Sequence, residues 1–307
     1  ARSAVGRWTR PGTCARGPTV TGADRRARVH GPTTAAEREA VDEALRVGTL
    51  NVVGRIVEAS NVALLVEVTP PEGSGPVLQA IYKPIRGERP LWDFPEGTLA
   101  GREVASALVA EATGYAVVPP TVLRDGPLGA GSVQLWIGDP FATETDEGPV
   151  RIVPVGQVPD GWLGVVDGEL PDGTAVTVVH EATADLRDAA VLDAILNNSD
   201  RKGSHLVRDA HATLWGFDHG LTFHAEPKLR TVLWGWAGEP LRGSDIERLA
   251  TFAERLADDE DALTQTLTVL LPPEDLAALG VRVRALAVGG IHPRPGGRWP
   301  SIPWPAL

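Results

Sequence analysis

The chain has 307 residues, 43% hydrophobic and 22% charged, enough for one two-lobed domain or two ordinary ones with a real core. Its net charge of -11 argues against nucleic acid and anionic lipid surfaces as partners, and no uninterrupted apolar run approaches the ~18 residues of a membrane-spanning helix. Cys14 is the only cysteine, which excludes an internal disulfide and a cysteine-rich zinc site and makes a reducing cytoplasm the expected location.

The first thirty residues hold seven arginines against one acid, Asp24. With their Gly, Pro and Thr content they predict a flexible basic arm over residues 1–33. It is either a contact for an acidic partner, a targeting extension or a leader of no consequence. Thr34 and Glu37 then form a Thr-x-x-Glu capping box, opening a helix that Gly48 stops. Three strands follow as an antiparallel meander over Val52–Glu58, Val62–Val68 and Val77–Lys83, the first two joined by an Ala59-Ser60-Asn61 turn. A helix over Thr98–Thr113 is apolar almost all round, so it must be packed on more than one side.

The strand pair Thr121–Arg124 and Ser132–Ile137 closes an N-lobe of residues 34–138, and Gly138-Asp139-Pro140 breaks the pattern. The C-lobe, residues 139–307, begins with a turn-rich inserted hairpin region over 142–181. A helix over Thr183–Leu196 then leads through Asn197-Asn198 to a tight hairpin from His205 to Gly216. A largely helical stretch over Ser244–Val288 and a Pro/Trp tail complete the chain. Strands with one helix, followed by a mostly helical half, define an α+β chain rather than alternating βαβ units.

Lysine is scarce: only Lys83, Lys202 and Lys228 occur among 29 basic residues, so each marks a place where arginine does not serve as well. Phosphoryl transfer needs a cation on the nucleotide phosphates, an anion to hold that cation, a carboxylate beside the attacking hydroxyl, and metal ligands. Lys83 ends the third strand in AIYKP, on the face shared by Val77, Gln79 and Ile81. Glu103 lies among small apolar neighbours on the next helix, with Glu111 as the alternative partner. Asp200 lies five residues before His205, with Lys202 between them. That is the spacing of the kinase catalytic loop Asp-x-x-x-x-Asn, with histidine in the asparagine position, and Asp218-His219-Gly220 stands where Asp-Phe-Gly would.

Over roughly residues 50 to 260 the chain resembles the phosphatidylinositol 3-/4-kinase-like family, in particular its small actinobacterial members. The resemblance is carried by AIYKP, GREVASALVAEATGY, GSVQLWIGD, LDAILNNSDRKGSH and WGFDHG. It implies a two-lobed protein-kinase-like fold and ATP as nucleotide. Lys83 would contact the phosphates and pair with Glu103, Asp200 would be the catalytic base assisted by Lys202, and Asp218 with His205 would hold Mg²⁺ or Mn²⁺. Gln134, Leu135, Trp136 and Ile137 would hold the adenine edge, with Trp136 alternatively a core aromatic. The Ser60-Asn61 turn would cover the nucleotide without the glycine-rich string of protein kinases.

The family's Asp-Arg-His and metal-binding asparagine are here Asp200-Arg201-Lys202 and His205, a softer ligand than Mg²⁺ prefers. The resulting expectation is an ATP-dependent phosphotransferase of unknown phosphoacceptor, protein or small molecule before lipid. A nucleotide-binding or scaffolding pseudokinase and an AMP transferase on the same fold stay open.

Overall fold

The computed structural model describes residues 8–9, 30–56, 61–72, 75–95, 97–138, 148–296 and 300–307. Most of the predicted arm and Ser60 lie outside the described residues. Helix α1 (Ala35–Val47) opens at Thr34, whose hydroxyl accepts the Glu37 N–H at 3.1 Å. The returning Glu37 carboxylate takes the N–H and hydroxyl of Thr33, one residue earlier than the capping box predicts. Gly48 ends the helix without left-handed backbone, at φ -64°, and a Cβ there would lie 2.5 Å from the Ala44 carbonyl oxygen.

The meander forms as predicted and gains neighbours on both sides. Strands β1 (Trp8–Thr9), β2 (Thr49–Ile56), β3 (Leu64–Thr69), β4 (Leu78–Pro84), β5 (Thr121–Gly126) and β6 (Gly129–Leu135) make one antiparallel sheet in the order β1-β2-β3-β4-β6-β5. Alternation along β4 buries Leu78, Ala80 and Tyr82 with Val41, Ala44 and Leu45 of α1, and so turns Gln79, Ile81 and Lys83 to the other face. Helix α2 (Leu99–Ala112) is buried along nearly its whole length. Its Ala105, Val109 and Ala110 belong to the core of the C-terminal half.

Residues 150–181 hold three strands rather than the predicted hairpin: β7 (Val150–Pro154), β8 (Trp162–Glu169) and β9 (Ala175–Glu181), in the order β7-β9-β8. Helix α3 (Ala184–Leu196) follows, capped by Asn197 in the left-handed region at φ 52°, a conformation asparagine tolerates. The hairpin β10 (Leu206–Arg208) and β11 (Leu214–Gly216) precedes α4 (Gly243–Leu256), α5 (Ala262–Leu270) and α6 (Pro273–Gly289). The predicted helical stretch is therefore broken twice. The Asp261 carboxylate caps α5, and Pro272 stops α5 before Pro273 opens α6.

Trp236 lies between two histidines, with ring centroids 4.6 Å from His180 and 6.3 Å from His292. His180 Nε2 accepts the Gly235 N–H at 3.1 Å, and His292 Nε2 accepts the Arg187 Nε–H at 3.2 Å. Accepting at Nε2 requires a neutral ring. Burial pushes the His180 imidazole down and, with Arg187 adding to it, pushes His292 down to about 4. The unfolded chain binds these protons near pH 6.5 and the folded chain does not. Stability should be fully present above about pH 6.5 and fall as the pH drops toward 4. Urea midpoints measured at pH 7.5, 6 and 4.5 test this, and a midpoint unchanged over that range would contradict it.

Candidate functional site

Strand β4, helix α2 and the segment after β11 bring three charged residues together. Lys83 Nζ donates to Glu103 Oε1 at 2.5 Å and to Asp218 Oδ1 at 2.9 Å. Glu103 is buried, and its second oxygen accepts the His219 N–H at 3.0 Å, so one carboxylate ties the lysine strand to the Asp-His-Gly segment. Glu111, the alternative partner, lies instead 3.4 Å from Arg38. Burial alone would push the Lys83 ammonium down, but Asp218 and Glu103 together hold it above its ordinary value. Lys83 in turn holds the Asp218 carboxyl well below the usual carboxylate range. Asp218 has φ 58°, a left-handed conformation that aspartate adopts more readily than most residues.

His205 Nε2 lies 3.7 Å from Asp218 Oδ2. Burial pushes the imidazole down to about 4, against the pull of Asp218, so the ring is a neutral donor. Two donors bonded to one cation at about 2.1 Å each stand at such a separation, so the pair fits a shared divalent ion. Imidazole with carboxylate suits Mn²⁺ better than Mg²⁺. Among the described residues no group of three or more His, Cys, Asp or Glu side chains is gathered as a metal site, so oxygens from elsewhere would have to complete the shell.

Asp200 Oδ2 meets Lys202 Nζ at 2.9 Å. Burial raises the Asp200 pKa against the pull of Lys202, and Asp218 adds to the rise. The loop around it is held by residues the sequence reading passed over. Asn198 Oδ1 accepts the Asp200 N–H at 3.0 Å, and Asn198 Nδ2 donates to Asp193 Oδ1 at 2.9 Å. Asp193, fully buried on α3, also receives the Arg201 guanidinium, at 2.9 Å from Nη2, and the Thr231 hydroxyl at 3.1 Å. Arg201, equally buried, reaches on to the Phe217 carbonyl and to His219 Nε2 at 2.7 Å. The signal for Asp193 was available: a single acid in the apolar run AVLDAIL has to find a cation.

Of the predicted adenine-edge residues, Gln134 donates its side-chain amide to Thr121. The Leu135 and Trp136 N–H groups go to the Pro120 and Gln79 carbonyls, and Ile137 follows beyond the end of β6. Asn61 Oδ1 accepts the Arg89 N–H at 2.8 Å, so Asn61 is anchored to the loop that follows β4.

Antiparallel sheet, helical second half and a lysine-glutamate-aspartate cluster between them together define a protein-kinase-like fold. Among solved structures, the Golgi casein kinase with Mn and ADP bound covers 90% of this chain and 81% of its own at a TM-score of 0.51 and 14% identity. A hydra Fam20 structure with sugar covers 83% and 88% at 0.48 and 13%. No family model matches the chain. Protein Rv2133c of Mycobacterium tuberculosis (strain ATCC 25618 / H37Rv) is 41% identical over 265 residues, 85% of this chain and 93% of that protein, and the chain belongs to its family. No helix among the described residues is long and apolar enough to cross a membrane.

Proposed function

We propose that the chain is an ATP-dependent phosphotransferase, an atypical kinase of the phosphatidylinositol 3-/4-kinase-like kind. The observation that carries this is the meeting of Lys83 from β4, Glu103 from α2 and Asp218 within 2.5 and 2.9 Å, from three elements far apart in sequence. Lys83 would neutralise nucleotide phosphate charge, with Glu103 fixing its position. Asp218 and His205 would hold the divalent ion, which when bound supplies charge neutralisation at the transferred phosphoryl. Asp200 would accept the proton of the attacking hydroxyl, and Lys202 would balance the charge that develops beside it. Adenine would lie against Ile137, since the Leu135 and Trp136 N–H groups before it are spent within the sheet. The kinase similar in fold was solved with Mn and ADP, which agrees with a nucleotide and an imidazole-tolerant metal here.

A ligand that binds the folded chain alone stabilises it by about 2.7 kcal/mol at a hundred times its dissociation constant. Millimolar ATP with Mn²⁺ should therefore raise the melting temperature of the wild type, and Lys83→Met should lose the rise while still melting cooperatively. An unchanged melting curve with either Mg²⁺ or Mn²⁺ would overturn nucleotide binding. His205 in the asparagine position favours one alternative, a pseudokinase. Nucleotide stabilisation without movement of the α or γ label of ATP, with either metal and with candidate hydroxyl acceptors added, would favour it.

A further inference from the structure

Between Lys83 and helix α2 the chain makes a loop whose side chains enclose a cavity of about 340 Å³, at the small end of the range that binds metabolites. Ile85, Leu91 and Phe94 supply apolar wall, and Arg86 and Arg89 supply charge. Both arginines are exposed, and neither has an acidic partner within 4.0 Å among the described residues, in a chain whose net charge is -11. The intervening Glu88 is already occupied: its two carboxylate oxygens accept the Leu99 and Ala100 N–H groups at the start of α2.

The loop is also fixed at its other side. The Val62 N–H donates to the Gly87 carbonyl, Asn61 Oδ1 accepts the Arg89 N–H, and a Cβ on Gly87 would lie 2.5 Å from Val62 Cβ, so only glycine lets the two segments approach. The arginines therefore stand on a backbone already held in place, which lowers the ordering cost of binding. The cavity adjoins the lysine-aspartate cluster. Its wall residue Leu99 lies four residues, about 6 Å along the helix, before Glu103, and lies 3.6 Å from the place of a Cβ on Gly220.

Resting on the phosphotransferase reading, we propose that this cavity binds the phosphoacceptor, a small hydroxyl compound bearing a phosphate or carboxylate. Arg86 and Arg89 take the anion, the apolar wall takes the carbon skeleton, and the hydroxyl is presented past Leu99. In the transfer, the acceptor oxygen forms a bond to the γ-phosphorus of ATP as the bond to the β,γ-bridging oxygen breaks. ADP leaves, and the hydroxyl proton passes to Asp200.

The test uses the full chain in ADP and Mn²⁺, titrated with glycerol 3-phosphate, malate and uncharged glycerol by calorimetry and thermal shift. One or both anions should bind and glycerol should not, and the binding should weaken with added salt. Which anion binds separates phosphate from carboxylate recognition. Arg86→Gln with Arg89→Gln, exposed changes that leave the fold intact, should lower anion affinity by about tenfold or more while the shift with ADP stays that of the wild type. Anions that bind no better than glycerol, or a double variant that binds them as the wild type does, would overturn the acceptor site with the nucleotide reading untouched. An arginine-dependent anion response in a wild type that ignores ADP would overturn the acceptor role and the phosphotransferase reading together.

Discussion

Asp200→Asn should keep the fold and the thermal shift with ATP while losing transfer of the γ label by about 10²-fold or more, the scale for removing a positioned base. The alternative is that Asp200 only caps the turn into the hairpin, a role asparagine fills nearly as well. The structure separates the two roles in space. Asn198 is the residue that accepts the loop N–H, from Asp200 itself at 3.0 Å, while the Asp200 carboxylate faces Lys202 at 2.9 Å. Among the described residues no backbone N–H donates to that carboxylate. Burial also raises its pKa, which makes it the better proton acceptor of the two aspartates, because Lys83 holds Asp218 far down. Label transfer measured with γ- and α-labelled ATP in Mg²⁺ and in Mn²⁺ checks the prediction. Wild-type transfer kept in the asparagine variant would remove Asp200 from the chemistry.

The charged part of the site was legible because the sequence is so poor in lysine. All three lysines have acidic partners: Lys83 has Glu103 and Asp218, Lys202 has Asp200, and Lys228 has Asp93 at 2.9 Å. The β4 register was legible too, since a period of two sets which face Lys83 joins. The third strand of the 150–181 sheet was not. The short Val-rich runs of β7 to β9 are interrupted by Gly and Pro, and a sheet whose outer strand β8 is largely exposed leaves little alternation to read. The Asn198-Asp193-Arg201-His219 network escaped for another reason. Its members are ordinary polar residues spread over three elements, and only the chain's return after β11 brings Phe217 and His219 against Arg201. The cation-bearing loop after β4 has no periodicity at all, and its importance depends on where Gly87, Glu88 and Arg89 are anchored.

The largest stability effect is expected at the base of the Asp200 loop. Asp193 and Arg201 are both fully buried, and their ion pair closes at 2.9 Å. Removing one partner leaves an uncompensated charge in the interior, so Asp193→Leu or Arg201→Met alone should each cost about 3–5 kcal/mol. The two changes together should cost less than the sum of the singles, because the double variant buries no charge and Leu with Met refill much of the volume. Urea denaturation of the four proteins closes the cycle, and strictly additive losses would show that the pair is not coupled. The same variants bear on function separately from stability. Arg201 holds the Phe217 carbonyl and His219 Nε2, which flank Asp218, and Asp193 holds Asn198, which fixes the Asp200 backbone. The double variant should therefore recover stability relative to the singles without recovering label transfer. Its loss should appear in turnover more than in ATP affinity, since Lys83 and Glu103 keep their contact on the other side of the site. Recovery of transfer in step with stability would instead make the network a support for folding alone.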